Sequence, residues 1–355
     1  QMKRQLLGVA AFMLALSAHA QDNPLWMRYC AISPDGTSIA FTYKGDIYTV
    51  PVNGGKAAQI TTNAAHDTHP VWSPDGKQIA FASDRMGSMD IFVVDREGGI
   101  PKRLTTHSGN ETPVAFKDAD HILFLANVMP SAEDAQFPSG QFQQVYEVST
   151  TGDRPVMFSS MPMEDISINK TGNALLYHDK KGYEDPWRKH HTSSITRDIW
   201  LCSLDGKRSY RKLTSFNGED RTPVWASDGK SFYYLSEEKG SFNVFKRALD
   251  GSTSTHLTHH TKHPVRFLTA ADNGTLCYGY DGEIYTMKEG TEPRKVQISI
   301  LTDKNDKDLI RQIRRNGATE IALSPDAKEV AFILRGDVYV TSVEYKTTKQ
   351  ITNTP

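Results

Sequence analysis

Cysteine is scarce in this chain: three in 355 residues, Cys30, Cys202 and Cys277, far apart and each inside an apolar run. So sparse and odd a set is no disulfide framework, and the three read as small buried strand residues. Neither charge sign dominates, with 41 Lys and Arg against 42 Asp and Glu and a pI near 6.9. Nucleic acid and anionic membrane surfaces call for a basic field, so neither is expected as the main partner. Beyond residue 20 there is no long apolar run, so no membrane span is expected in the mature chain. Helical periodicity is also missing outside one short candidate, Lys307 to Arg315: apolar residues elsewhere alternate or run in short blocks between turns containing Gly and Pro. The 38% of hydrophobic residues still suffices for a large buried core.

The N-terminus is the exception to that even texture. Lys3 and Arg4 precede an apolar run over residues 6–16, and Ala18-His19-Ala20 gives an A-x-A cleavage pattern before Gln21. This is the pattern of a secretory signal peptide over residues 1–20, too short to span a bilayer. It predicts an exported protein, periplasmic or extracellular. No cysteine follows the cleavage pattern, which argues against a lipid anchor.

The remainder repeats. "AISPDGTSIAFTYKGDIYTV" begins at Ala31 and "VWSPDGKQIAFASDRMGSMDIFVV" at Val71, their Ser-Pro-Asp-Gly turns about 40 residues apart. Weaker copies start near residues 114, 166, 224, 267 and 321. In the turn, Pro presets φ, Asp favours the next position and Gly accepts positive φ. Apolar blocks on either side read as strands, and a last strand in most units ends in Leu-Thr or Ile-Thr. Units of this length with four short antiparallel strands stack around an axis as β-propeller blades, since one twisted sheet cannot bury both its faces alone. The fold class is therefore all-β: six four-stranded blades over residues 21–301, a charged linker over 302–318, and the first blade of a second propeller over 319–355. A single seven-bladed propeller is the alternative.

The stretch Pro70-Val71-Trp72-Ser73-Pro74-Asp75-Gly76, with Ile79-Ala80-Phe81 and Ser83-Asp84-Arg85, resembles the propeller repeats of TolB-like periplasmic proteins and tricorn-type proteases. A narrower match is Tyr183-Glu184-Asp185-Pro186-Trp187-Arg188-Lys189-His190-His191, continued by Thr196-Arg197-Asp198-Ile199-Trp200. It resembles the fourth-blade insertion of bacterial tricorn-like serine peptidases. That resemblance implies a non-catalytic propeller module that channels or filters peptides or unfolded polypeptide for catalytic domains further along the same chain, with a homo-oligomer possible. The catalytic serine, histidine and acid of that family lie in those later domains, so no catalytic residue is carried over. Two other readings stay open: a stand-alone TolB-like protein-binding scaffold, and the propeller lid of a prolyl-oligopeptidase-type hydrolase.

Independent catalytic motifs are missing: there is no G-x-S-x-G elbow, H-E-x-x-H pair or phosphate-binding glycine loop. No cofactor is expected. The histidines of "HLTHHTKHP", residues 256–264, follow the repeat rather than ligand spacing, with His263 aligned to His69, so no metal is expected either. The candidate peptide- or partner-binding residues lie in two places. Tyr183, Trp187, Arg188, Lys189, His190 and His191 belong to a loop between the second and third strands of the fourth unit, a connection read as only a few residues elsewhere. It is either a gate or a salt-bridged clamp. Glu219, Asp220 and Arg221 belong to a blade-to-blade loop; Glu219 and Asp220 with Asp67, Glu111, Glu164 and Asp165, set against Arg221 and Lys262, would give the channel a mildly acidic mouth. Asp84-Arg85 reads as architectural.

Overall fold

The structure is a computed structural model that describes residues 24–127, 142–182, 185, 187–188, 197–251, 253–301, 314–345 and 347–352. The signal-peptide pattern over 1–20, most of the expected linker and the candidates Tyr183, Lys189, His190 and His191 lie outside those residues. The described residues form antiparallel sheets over 28–59, 67–103, 112–159, 163–212, 220–256, 266–295 and 318–350, each with its four strands in chain order. The second strand of each of the first six is apolar almost throughout, as in SIAFTY, QIAFAS and HILFLA. Such a strand is covered on both faces, so it lacks the alternation of a half-exposed one.

What covers those faces is the neighbouring sheet. Six apolar clusters form, each shared by two consecutive sheets, and the last joins the sheet over 266–295 to that over 28–59 through Cys30, Phe41, Cys277 and Ile284. The first strands, Arg28–Ile32, Asp67–Trp72, Thr112–Phe116, Met163–Ile168, Asp220–Trp225 and Arg266–Ala270, pack one on the next and the sixth returns to the first. The ring is thus closed. The sheet over 318–350 contributes to none of the six clusters, and its Ile321 and Leu323 are exposed.

Three repeated devices account for the sequence motifs. In the Ser-Pro-Asp-Gly turns, the Ser33 and Ser73 hydroxyls donate to Asp35 and Asp75 and accept the amides of Ser38 and Gln78. A threonine two residues beyond the fourth strand accepts an amide at the start of the third: Thr61 from Ile47, Thr105 from Ile91, Thr214 from Ile199, Thr258 from Val244, and Thr352 from Val338. Tryptophans link sheets, Trp72 Nε1 donating to Ala31 O at 2.8 Å and Trp225 Nε1 to Ser167 O at 3.0 Å.

Main-chain bonds between sheets follow a rule of their own. At the start of a first strand, an amide donates to a carbonyl in the second-to-third-strand connection of the preceding sheet. Asp67 bonds Gly45, Glu111 bonds Met89, Asp220 bonds Arg197 and Val265 bonds Phe242; Met27 bonds Gly282 and closes the ring. A short strand, Ile298–Ile300, then runs parallel to Gly55–Gln59 along the outer edge of the first sheet. Gly54 (φ +88°) lies so close to it that a Cβ would sit 2.5 Å from the Gln297 carbonyl oxygen.

Candidate functional site

The six first strands surround a cavity of about 1030 Å³ that extends from the Ser-Pro-Asp-Gly turns to the opposite mouth. Every one of these strands is bulged in the same part of its length, with one residue more on the first strand than on the stretch of second strand it faces. Five of the bulges hold a non-glycine residue at positive φ: Tyr29 (52°), His69 (55°), Asp165 (51°), Thr222 (52°) and Phe267 (57°). The sixth position is Pro113, whose ring forbids that conformation. A left-handed residue other than Gly is strained by about 1–3 kcal/mol, and for β-branched Thr222 this is a marked departure. The bulges turn these six side chains into the cavity wall.

The wall has two sides. On the sixth, first and second sheets the rings of Phe267, Tyr29 and His69 form a row, with centroids 4.9 Å and 3.7 Å apart. Burial pushes the His69 imidazole down to about 4, so it is a neutral ring at pH 7. On the fourth and fifth sheets Asp165 faces the cavity, its Oδ2 taking the Thr222 hydroxyl at 2.6 Å and lying 3.6 Å from His178 Nδ1.

Above the row, residues 187 and 188 cross from the fourth sheet to the mouth. Arg188 is buried and its guanidinium spans two carboxylates of the fifth sheet, Glu219 and Glu237, each at 2.6 Å. Trp187 is half-exposed and sits between Arg28 at 4.8 Å and Arg266 at 5.0 Å, edge-on to Phe267. Arg266 also donates to the carbonyls of Trp187 and Arg188. Burial, with Arg221 close by, pushes the Arg266 guanidinium down to about 10.

The expected acidic mouth is corrected by burial. Glu219, Asp220 and Arg221 are buried, as are Asp67 and Glu111. Asp67 is gripped by Arg85 at 2.8 and 2.9 Å, so the Asp84-Arg85 turn is architectural as read. Glu219 is held by Arg188 and Arg197, and Arg221 lies over the Phe242 ring at 4.1 Å. Asp220 occupies the position of Asp67, but Glu238 stands where Arg85 does; burial pushes the Asp220 carboxyl up to about 6. Burial would likewise raise Glu164, but hydrogen bonds from His178 and Lys180 hold its carboxyl well below the usual range. Of the expected acids, Asp165 is the one turned into the cavity with nearly half its side chain exposed, 46%.

Two further readings change. The second-to-third-strand connection is long in two units, over 180–198 and over 127–143, not in the fourth alone. The residue equivalent to His69 is Phe267, not His263, because the first strand of the sixth unit begins at Arg266. Repeat alignment at Pro-Val misplaced it by four residues. His256 stacks on Phe245 and meets His259 edge-on, His260 stacks on Tyr280, and among the described residues no group of three His, Cys, Asp or Glu side chains is placed to hold a metal. Asp165 was expected at the mouth and His69 only as a repeat position; that these two share a bulged register with Tyr29, Thr222 and Phe267 was missed, because register is invisible until the strands are paired.

A closed ring of four-stranded sheets around a central cavity is a β-propeller. The chain belongs to the family of tricorn protease N-terminal β-propeller domains, whose model matches residues 24–293. It is 26% identical over 283 residues to tricorn protease homolog 1 of Streptomyces coelicolor, a match covering 78% of this chain and 25% of that protein. To the tricorn protease of Thermoplasma acidophilum it is 25% identical, over 90% of this chain and 29% of that protein. A crystal structure of the tricorn protease superposes with a TM-score of 0.66 at 20% identity, covering 93% of this chain and 31% of that one, a likeness of fold. The chain thus spans between a quarter and a third of the length of these relatives.

Proposed function

We propose that this propeller is the non-catalytic channel module of an exported tricorn-like serine peptidase, passing peptides or unfolded polypeptide to or from catalytic domains of the same protein. The observation that carries the reading is the cavity along the ring axis, with its mouth spanned by Trp187 and Arg188 and its wall built from strained, non-repeating side chains. A purely structural ring has no need of six different residues at one register. Rigid side chains around a pore select by size and charge. In this reading residues 21–301 are the first propeller, 302–318 a linker and 319–355 the start of a second; the leader pattern over 1–20 supports export.

The test is peptide cleavage by the longer protein with and without residues 21–301. Activity on short peptides that persists on deletion, with selectivity among longer ones lost, supports the channel module. No serine-dependent cleavage by any form would instead favour a binding scaffold of the TolB-like kind.

A further inference from the structure

The bulge ring has a chemistry more specific than a pore's. Three neutral rings, Phe267, Tyr29 and His69, occupy one side of the wall, and one exposed carboxylate, Asp165, stands on another. The Asp165 carboxylate is used on one oxygen only: Oδ2 takes Thr222, while among the described residues Oδ1 takes no hydrogen bond. The nearby acid Glu164 is already satisfied by Lys180 at 2.6 Å and His178 at 3.2 Å. The guanidinium groups of Arg28 and Arg266 are engaged around Trp187, further out at the mouth. A carboxylate with an open lone pair, facing aromatic rings, favours a compact cation with several N–H donors.

We infer that Asp165 and the ring row of Tyr29, His69 and Phe267 form a subsite for a primary ammonium group, the free N-terminus or a lysine side chain of a peptide in the channel. This rests on the channel reading and adds to it the class of peptide selected. The ammonium donates to Asp165 Oδ1, and the adjoining peptide side chain lies on the rings. Peptides carrying a blocked N-terminus and no lysine lose the charged contact and keep the apolar one.

The test is fluorescence anisotropy with a short lysine-free peptide labelled at its C-terminus, offered with a free or an acetylated N-terminus. The free form is expected to bind about tenfold or more tightly, in line with a charge-assisted hydrogen bond, and the gap should narrow as salt is added. In Asp165→Asn the gap should vanish. Asn tolerates positive φ and still accepts from Thr222, so this variant removes charge and keeps the bulge. Equal binding of the two peptides to the unaltered protein overturns the inference, as does a gap that survives in Asp165→Asn.

A second variant separates this failure from that of the channel reading. Thr222→Tyr narrows the channel with a residue that the equivalent bulge at Tyr29 already carries. If it weakens both peptides alike while acetylation makes no difference, the channel stands and the ammonium subsite falls. If neither peptide binds the unaltered protein, both fall.

Discussion

Glu111 and His69 are displaced from their ordinary titration in opposite senses, and each makes stability depend on pH. Burial pushes the Glu111 carboxyl up to about 7, against the hydrogen bond it takes from the Thr105 hydroxyl. A raised acid favours the fold while protonated, so its contribution is complete below about 4.5 and is lost as pH rises through 7. Glu111→Gln removes that loss. The variant's melting temperature should gain on the parent's between pH 4.5 and 7.5, and parallel curves would refute the assignment. His69, pushed down to about 4, has the contrary sign. Below pH 6.5 the unfolded chain takes up a proton that the native imidazole refuses, so stability is lost as pH falls from 6.5 to 4. His69→Asn, which also tolerates positive φ, should flatten that acid limb in the same melts. A variant with the parent's acid limb would place the proton uptake elsewhere.

At the scale of the element, the loop over 180–198 works through Arg188. Its guanidinium is the shared partner of Glu219 and Glu237, and all three are buried. Arg188→Met leaves Glu237 without that ion pair and Glu219 with Arg197 alone, and breaking a buried pair from one side is destabilising by about 3–5 kcal/mol. Adding Glu237→Gln should recover part of the loss in urea unfolding; no recovery would mean that packing, not charge, dominates at Arg188. The sequence offered gate and clamp as equal readings of this loop, because Glu237 is 49 residues away and its role depends on the adjoining sheet. Turns and strand ends were easier to read. Ser33 with Asp35, and Thr61 with Ile47, interact within one unit, so their chemistry is local and recurs visibly. The bulges at Tyr29, His69, Asp165, Thr222 and Phe267 were illegible for the converse reason: no residue type marks them, and only pairing with the second strand reveals that they share one register. The acids of the blade-to-blade loops were placed at the right end of the ring, but burial by a neighbouring sheet, which no single unit encodes, turned most of them inward.

A closed ring is only as sound as its last interface, and here that interface joins the sheet over 266–295 to the sheet over 28–59. It is held by the Met27–Gly282 main-chain bond, by the apolar cluster containing Cys30 and Cys277, and by the parallel strand Ile298–Ile300 against Gly55–Gln59. The third of these depends on Gly54, whose positive φ and 2.5 Å approach to Gln297 O leave no room for a side chain. Gly54→Ala should therefore push the closing strand away and loosen this interface before any other, at a loss of about 1–3 kcal/mol. The cysteines allow that to be read site by site. Cys30 and Cys277 lie in the closing cluster, whereas Cys202 lies between the third and fourth sheets, and all three are free and buried. In the parent protein a thiol reagent should reach the three at similar slow rates set by global unfolding. In Gly54→Ala, mass spectrometry of the alkylated peptides should show Cys30 and Cys277 reacting sooner while Cys202 keeps the parent's rate. Equal acceleration of all three would mean that the ring opens as one cooperative unit and that its closure is no weaker than its other interfaces.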